Sequence, residues 1–431
     1  MWPDLAKGLC ILLVVLHHTT TKHYAGLVPA ELAVVGHAWV GFSHLVKPIR
    51  MPLFFLISGL FASGALRRPW RRVVRRVAGP YYLYVVWLLL LGVVFTLERS
   101  LPMNRTQDLG ELAADLVFAS TGLWFLYALA VYFALAKLLL RFRTVPVLTG
   151  AAAVSALALA VPPDEVNRMS VLVNFVFFLA GSRRPDLLRV PDRLDHRRLL
   201  PALAVGYAVL AALLAATGAP GPWDLLLSAV GVPAAVLGAV ALSSRPAIAG
   251  PLAWLGRRTL PVYVLHMPVL ALVHHTVTAL DAETGPGLLL AVAGYPLLVT
   301  GLVASGCLVL HAVLLRARLG FLFELPRTGV GAAGATCAAV APSRRRCWVA
   351  ARRTASPVTV TVTPNAAVWP CPSASRPAML EPRAYPTPVA LASTVMAAPV
   401  RAGGTIRSPR LKTPIMYGAT ARPSTRTVTV R

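Results

Sequence analysis

Acidic residues are scarce in this chain: 16 Asp and Glu stand against 42 Lys and Arg in 431 residues, and charged residues of both signs make up only 13%. A soluble chain of this length carries about a quarter charged residues, so water is excluded as the solvent for most of it. Cysteine is sparse as well. Cys10, Cys307, Cys337, Cys347 and Cys371 include no CxxC pair and no metal-ligand spacing, which argues against a disulfide framework and a zinc site. No metal is expected. A Gly-rich phosphate loop and a Ser-His-Asp spacing are also missing, so neither of those chemistries has a sequence signature here. The net charge of +26 invites a nucleic-acid reading, but such a protein spreads its cations over a soluble domain. Here they stand in short clusters between apolar runs, and no nucleic-acid partner is expected.

Long hydrophobic runs are what the chain has in abundance. A helix that crosses a bilayer needs roughly 20 mainly apolar residues, because hydrocarbon cannot hydrogen-bond an open backbone. About ten stretches qualify: residues 4–21, 50–66, 80–97, 122–140, 146–161, 169–181, 199–217, 223–243, 259–280 and 287–315. The fifth and sixth are short enough to form one re-entrant pair. The expected fold is all-α, a polytopic membrane helical bundle over residues 1–326 whose general partner is the lipid bilayer.

Loop charge gives an independent check. Arg67, Arg68, Arg71, Arg72, Arg75 and Arg76 follow the second run, Arg141 and Arg143 the fourth, and Arg183, Arg184, Arg189, Arg193, Arg197 and Arg198 the sixth. Arg245, Arg257 and Arg258 follow the eighth, and Arg316 and Arg318 the tenth. The intervening loops carry Glu98, Asp108, Glu111 and Asp115, then Asp164 and Glu165, then Asp281 and Glu283. Short basic loops stay in the cytoplasm, so a multi-pass protein of the cell membrane with both termini cytoplasmic is expected. A cleaved signal peptide is the weaker reading of the first run, because no small-residue cleavage site follows it closely. Residues 327–431 change character to Arg, Pro, Ser, Thr, Ala and Val; from Thr328 onward, fourteen basic residues face the single acid Glu381. That composition predicts a disordered basic tail, either without a role or attracted to anionic lipid.

An ionisable group at membrane depth is costly and marks a site by default. Three constellations qualify. In the first helix, Asp4 and Lys7 precede an apolar run that ends in His17 and His18. Eleven residues turn through about 1100°, so Lys7 and His18 share a stripe roughly 16 Å apart along the axis, while His17 points about 100° away. An imidazole held there suits general-base work; the blander reading is a histidine pair facing headgroups. The second is Arg50 opening RMPLFFLISGLF, otherwise an interfacial anchor, with the arginine-rich loop after it: Arg71, Arg72, Arg75 and Arg76 would line one side of a helix for phosphate. The third is LGRRTLPVYVLH, where Tyr263 and His266 face the same way; a lone bundle histidine is more often a satisfied core residue.

Together DLAKGLCILLVVLHH, RMPLFFLISGLF, LWFLYALAVYF and LGRRTLPVYVLHMP resemble the acyltransferase-3 family of integral membrane O-acyltransferases, in the branch similar to fucose 4-O-acetylase, over residues 1 to 326. The family carries a basic residue, ten residues and a histidine in its first helix; Lys7 and His18 match, with Lys7 where arginine is common. The chain also begins closer to Asp4 than is usual, which points to a start upstream of Met1. The resemblance implies transfer of an acyl group from acetyl-CoA or another acyl-CoA to a hydroxyl of a carbohydrate or cell-envelope acceptor. It implies His18 as base, with His266 as the fallback, and Asp4 setting the charge balance of the stripe. Arg50 would hold the oxyanion or acceptor, and Lys7, Arg71, Arg72, Arg75 and Arg76 would stand on the donor side. The rival from another class is a transporter or flippase of a lipid-linked sugar, whose internal repeat symmetry the sequence does not show.

Overall fold

The computed structural model describes residues 1–101, 109–118, 121–161, 166–218, 221–277 and 286–326, with two short strands at Thr359–Thr361 and Thr427–Thr429. Met1–Ala332 forms one compact unit and Ala333–Arg431 a second. Every regular element among the described residues of the first is a helix. In the second, β1 (Thr359–Thr361) pairs antiparallel with β2 (Thr427–Thr429), Val360 opposite Val428. The expectation of a disordered tail otherwise falls outside the described residues, as do Cys337, Cys347 and Cys371.

Among the described residues, thirteen α-helices follow one another: α1 (Trp2–His18), α2 (Ala33–Leu45), α3 (Lys47–Leu66), α4 (Trp70–Leu97), α5 (Leu109–Phe118), α6 (Trp124–Leu139), α7 (Thr144–Leu159), α8 (Val166–Arg183), α9 (His196–Thr217), α10 (Trp223–Leu242), α11 (Pro246–Gly256), α12 (Thr259–Thr276) and α13 (Pro286–Arg316). Among the described residues, five helical stretches are long and apolar enough to cross a membrane: 30–66, α4, α9, α10 and 291–316. Apolar α6 and α7 are shorter, so the expected count of about ten spans exceeds what length and composition establish. The outer faces carry exposed Leu, Val and Phe, α9 above all. In water such a surface would aggregate; in a bilayer it is the lipid contact.

Helix α1 is the centre, packed against α3, α10, α11, α12 and α13. Glycines set two of the closest approaches. A Cβ on Gly8 would strike the Leu252 carbonyl, and one on Gly256 the Asp4 carbonyl, so α1 and α11 touch backbone to backbone. Gly59 of α3 and Gly181 of α8 do the same against Phe178 and Leu56. Small residues at helix crossings are how membrane bundles gain dispersion contacts without a hydrophobic drive. An aromatic cluster joins α3, α6 and α12: the Phe125 ring lies 4.9 Å from Phe54, 4.8 Å from Phe55 and 5.4 Å from Tyr263.

The basic loops collect at the Met1 end of the bundle. Trp2 donates to the Leu188 carbonyl at 3.2 Å, and Lys7 lies over the Phe61 ring near the end of α3. Lys137 at the end of α6 donates to the carbonyls of Leu66 and Arg68. Arg183 at the end of α8 reaches those of Leu139 and Phe142.

Candidate functional site

The far end of α1 holds a polar cluster. The helix does not stop at His18 but widens into a π-helical turn, Thr19–His23. The Thr20 and Thr21 hydroxyls donate to the His17 carbonyl at 3.0 and 2.7 Å, which occupies an acceptor that the widened turn loosens. Such insertions recur at functional sites. His17 and His18 at the end of α1 and His23 at the end of the turn meet three different sets of partners.

His18 faces α12, where its ring lies 5.1 Å from that of His266. The His266 Nδ1 sits 2.6 Å from the Tyr263 carbonyl. A carbonyl only accepts, so Nδ1 carries the proton and donates, and Nε2 of the neutral ring is left with a lone pair. Neither that Nε2 nor the His18 Nδ1 has a hydrogen-bond partner among the described residues, although both are buried. Buried polar atoms are nearly always satisfied, so two orphans on one ring pair mark it as a candidate site. The Tyr263 hydroxyl is engaged elsewhere, donating to the Gly122 carbonyl at 2.8 Å; its contribution to His266 is the backbone.

His17 is turned about 100° away, as the helical step requires; its ring meets that of His18 edge-on at 5.0 Å and reaches α2. Its Nδ1 lies 2.7 Å from the Ser43 hydroxyl, and Arg50 donates to the same oxygen at 3.5 Å. Arg50 stands one turn inside α3, which begins at Lys47 with Pro48 in its first turn. Only 6% of its surface is exposed, so it is buried in the bundle rather than anchored at a surface. His17, Ser43 and Arg50 form one connected unit beside the His18–His266 pair.

Asp4 and Lys7 lie elsewhere. Lys7 pairs with Asp4 at 2.8 Å, and Arg257 stands 3.9 Å from the other Asp4 oxygen. This ion cluster occupies the Met1 end, roughly 16 Å along the helix from His18. Arg71, Arg72, Arg75 and Arg76 are exposed on the first two turns of α4 at that same end. The nine candidate residues therefore fall into two groups: His18, His266 and Arg50 at one end of α1, and Asp4, Lys7 and the four arginines at the other.

Sequence reasoning did not single out Ser43, nor a second histidine cluster beyond the first. His23 Nδ1 lies 2.9 Å from His274 Nδ1, and His23 Nε2 lies 2.8 Å from the Tyr295 hydroxyl. Two Nδ1 atoms at hydrogen-bond distance share one proton. Among the described residues, no group of three or more His, Cys, Asp or Glu could hold a metal ion.

The acyltransferase domain profile of the acyltransferase-3 family matches residues 1–311, which covers every element of this site. The chain belongs to that family. It is also 28% identical over 203 residues to the inner membrane protein YcfT of Escherichia coli (strain K12), a match covering 42% of this chain and 55% of that protein. The chain thus spans about half the length of this curated relative. No solved structure matches. Membership gives the four motif segments a common meaning, since they converge in space. DLAKG meets LGRR through Gly8 and Gly256, the two phenylalanines of RMPLFF meet LWFLY, and LHH meets LPVYVLH through the paired imidazoles.

Proposed function

We propose that this acyltransferase is a multi-pass membrane O-acyltransferase that moves an acyl group, acetyl in the simplest case, from acyl-CoA to a hydroxyl of a carbohydrate or other cell-envelope molecule. The observation that carries the reading is the His18–His266 pair, with a buried, unpartnered nitrogen on each ring inside a family of acyltransferases. The backbone holds His266 as a neutral ring by fixing its Nδ1 proton. His18 Nδ1 is buried without a partner among the described residues, which is where an acceptor hydroxyl would be met.

In this scheme His18 removes the proton of the acceptor hydroxyl as the oxygen attacks the thioester carbonyl. A carbon–oxygen bond forms, the carbon–sulfur bond breaks, and the departing sulfur receives the proton that His18 holds. Arg50, oriented by Ser43, supplies positive charge to the carbonyl oxygen as it becomes an oxyanion. The basic Met1 end faces the cytoplasm, where Lys7 and the arginines of α4 meet donor phosphates, Arg71 with Arg75 and Arg72 with Arg76 forming adjacent pairs one turn apart.

The test is transfer of label from acetyl-CoA to candidate acceptors by purified protein. His18→Ala should lower turnover by roughly 100-fold to 10,000-fold while the protein still inserts and elutes as the parent does. Undiminished transfer in His18→Ala would end the mechanism. Facilitated movement of a lipid-linked sugar without ester formation would replace it with the transporter.

A further inference from the structure

Between α1, α3 and α10 lies a cavity of 380 Å³ that the acyl-transfer scheme does not use. Ala6, Leu9, Cys10 and Leu13 form one wall, Leu53 stands opposite, and Ala235 lines the α10 side. From Ala6 to Leu13 it follows α1 for roughly 10 Å, and its inner end stops one turn short of His17. Arg245, exposed at the end of α10, is the charged member of its lining.

The lining decides what fits. Water is a poor occupant, because it needs two to four polar partners. The arm of an acyl-CoA carries two amides, and burying amides against Leu, Ala and Ile without partners is unfavourable. A hydrocarbon chain meets no such penalty. The length of roughly 10 Å along α1 also fits within one leaflet, since half of a roughly 30 Å hydrocarbon layer is about 15 Å. The mouth is basic. Arg245 has no ion pair with a described residue, and α10 packs there against the turn Pro191–Arg193 and the start of α9. Arg193, Arg197 and Arg198 therefore stand at the same end as Arg245, Arg198 paired to Asp195 at 3.5 Å.

We propose that this cavity binds one acyl chain of an anionic phospholipid from the leaflet at the Met1 end, with the phosphate held by Arg245 and the basic rim. The site is separate from the imidazole pair and stands whether or not the acyl-transfer scheme does.

Reconstitution into phosphatidylcholine nanodiscs doped with phosphatidylglycerol that carries a diazirine on one acyl chain tests it, with crosslinks mapped by mass spectrometry. Label should concentrate on the α1 wall from Ala6 to Leu13 and on α10. Ala235→Phe or Leu13→Trp, which fill the cavity, should lower that label about tenfold in correctly eluting protein. Arg245→Ala should lower labelling by phosphatidylglycerol about fivefold relative to an equally tagged phosphatidylcholine. Label spread evenly over the outer face of α9, or unchanged by both filling variants, would overturn the cavity as a site. Equal labelling by the two lipids in the parent protein would overturn the anionic head. Displacement by palmitoyl-CoA but not by excess phosphatidylglycerol would assign the cavity to the donor and overturn the proposal as well.

Discussion

Gly256→Ala should damage this protein more than any polar substitution at its surface. The added methyl would lie against the Asp4 carbonyl, with the Gly8 nitrogen at 2.9 Å. Both belong to helical backbone, which has no rotamer to move. Relief requires α11 to withdraw from α1 along its length. Overpacking costs about 1–3 kcal/mol where side chains can shift, so a backbone clash should reach the upper end of that range. Glycines with open surroundings predict the opposite sign. Nothing stands within 4 Å of a Cβ at Gly64 or Gly92, both inside helices, and Gly→Ala there should gain about 0.5–1 kcal/mol by restricting the unfolded chain and favouring the helix. Thermal melting of the solubilised protein, followed by size-exclusion chromatography, reads both effects. Gly256→Ala and Gly8→Ala should lose monodisperse protein at a lower temperature than the parent, and Gly64→Ala and Gly92→Ala at the same or a higher one. Equal behaviour of the four variants would refute the reasoning that the α1–α11 contact is set by missing side chains.

Replacing Arg71, Arg72, Arg75 and Arg76 together by Gln should raise the donor KM about 10-fold to 100-fold with little change in kcat, since each exposed charge contributes under about 1 kcal/mol; added salt should shrink the difference between parent and variant. A cysteine placed at Arg72 should resist an impermeant thiol reagent in intact cells and react after permeabilisation, because basic loops stay inside; reaction from outside would reverse the orientation. Truncation after Pro326 should leave insertion and acyl transfer intact, and loss of inserted, active protein would make the tail part of the enzyme. His17→Ala and Ser43→Ala should each lower turnover by about tenfold, less than His18→Ala, and the double variant should be no worse than either alone, because both break the same link to Arg50; additive losses would dissolve that link.

Much of this was readable in the sequence wherever one helix sufficed to decide. The stripe geometry of α1 follows from 3.6 residues per turn, and the structure does turn His17 and His18 to different neighbours while pairing Asp4 with Lys7 three residues on. What a single helix leaves open is its partner. Ser43 was invisible because α2 is only 13 residues long, too short to register as a span, and nothing in its sequence marks one serine as the neighbour of both His17 and Arg50. The same holds for α11, whose 11 residues lie between two apolar runs. Gly8, Gly59 and Gly256 stand inside the motifs that carry the family resemblance, yet Gly64 lies five positions from Gly59 with open space around it, and no local rule separates the two. The missing step is long range. Gly256 ends α11, and α12 begins at Thr259, so the contact that seats α11 on α1 also fixes where α12 starts along the same helix. Two turns further on, that placement delivers His266 to His18. The packing glycines and the imidazole pair are one arrangement, and loosening Gly8 against Gly256 should separate the rings before it unfolds the bundle.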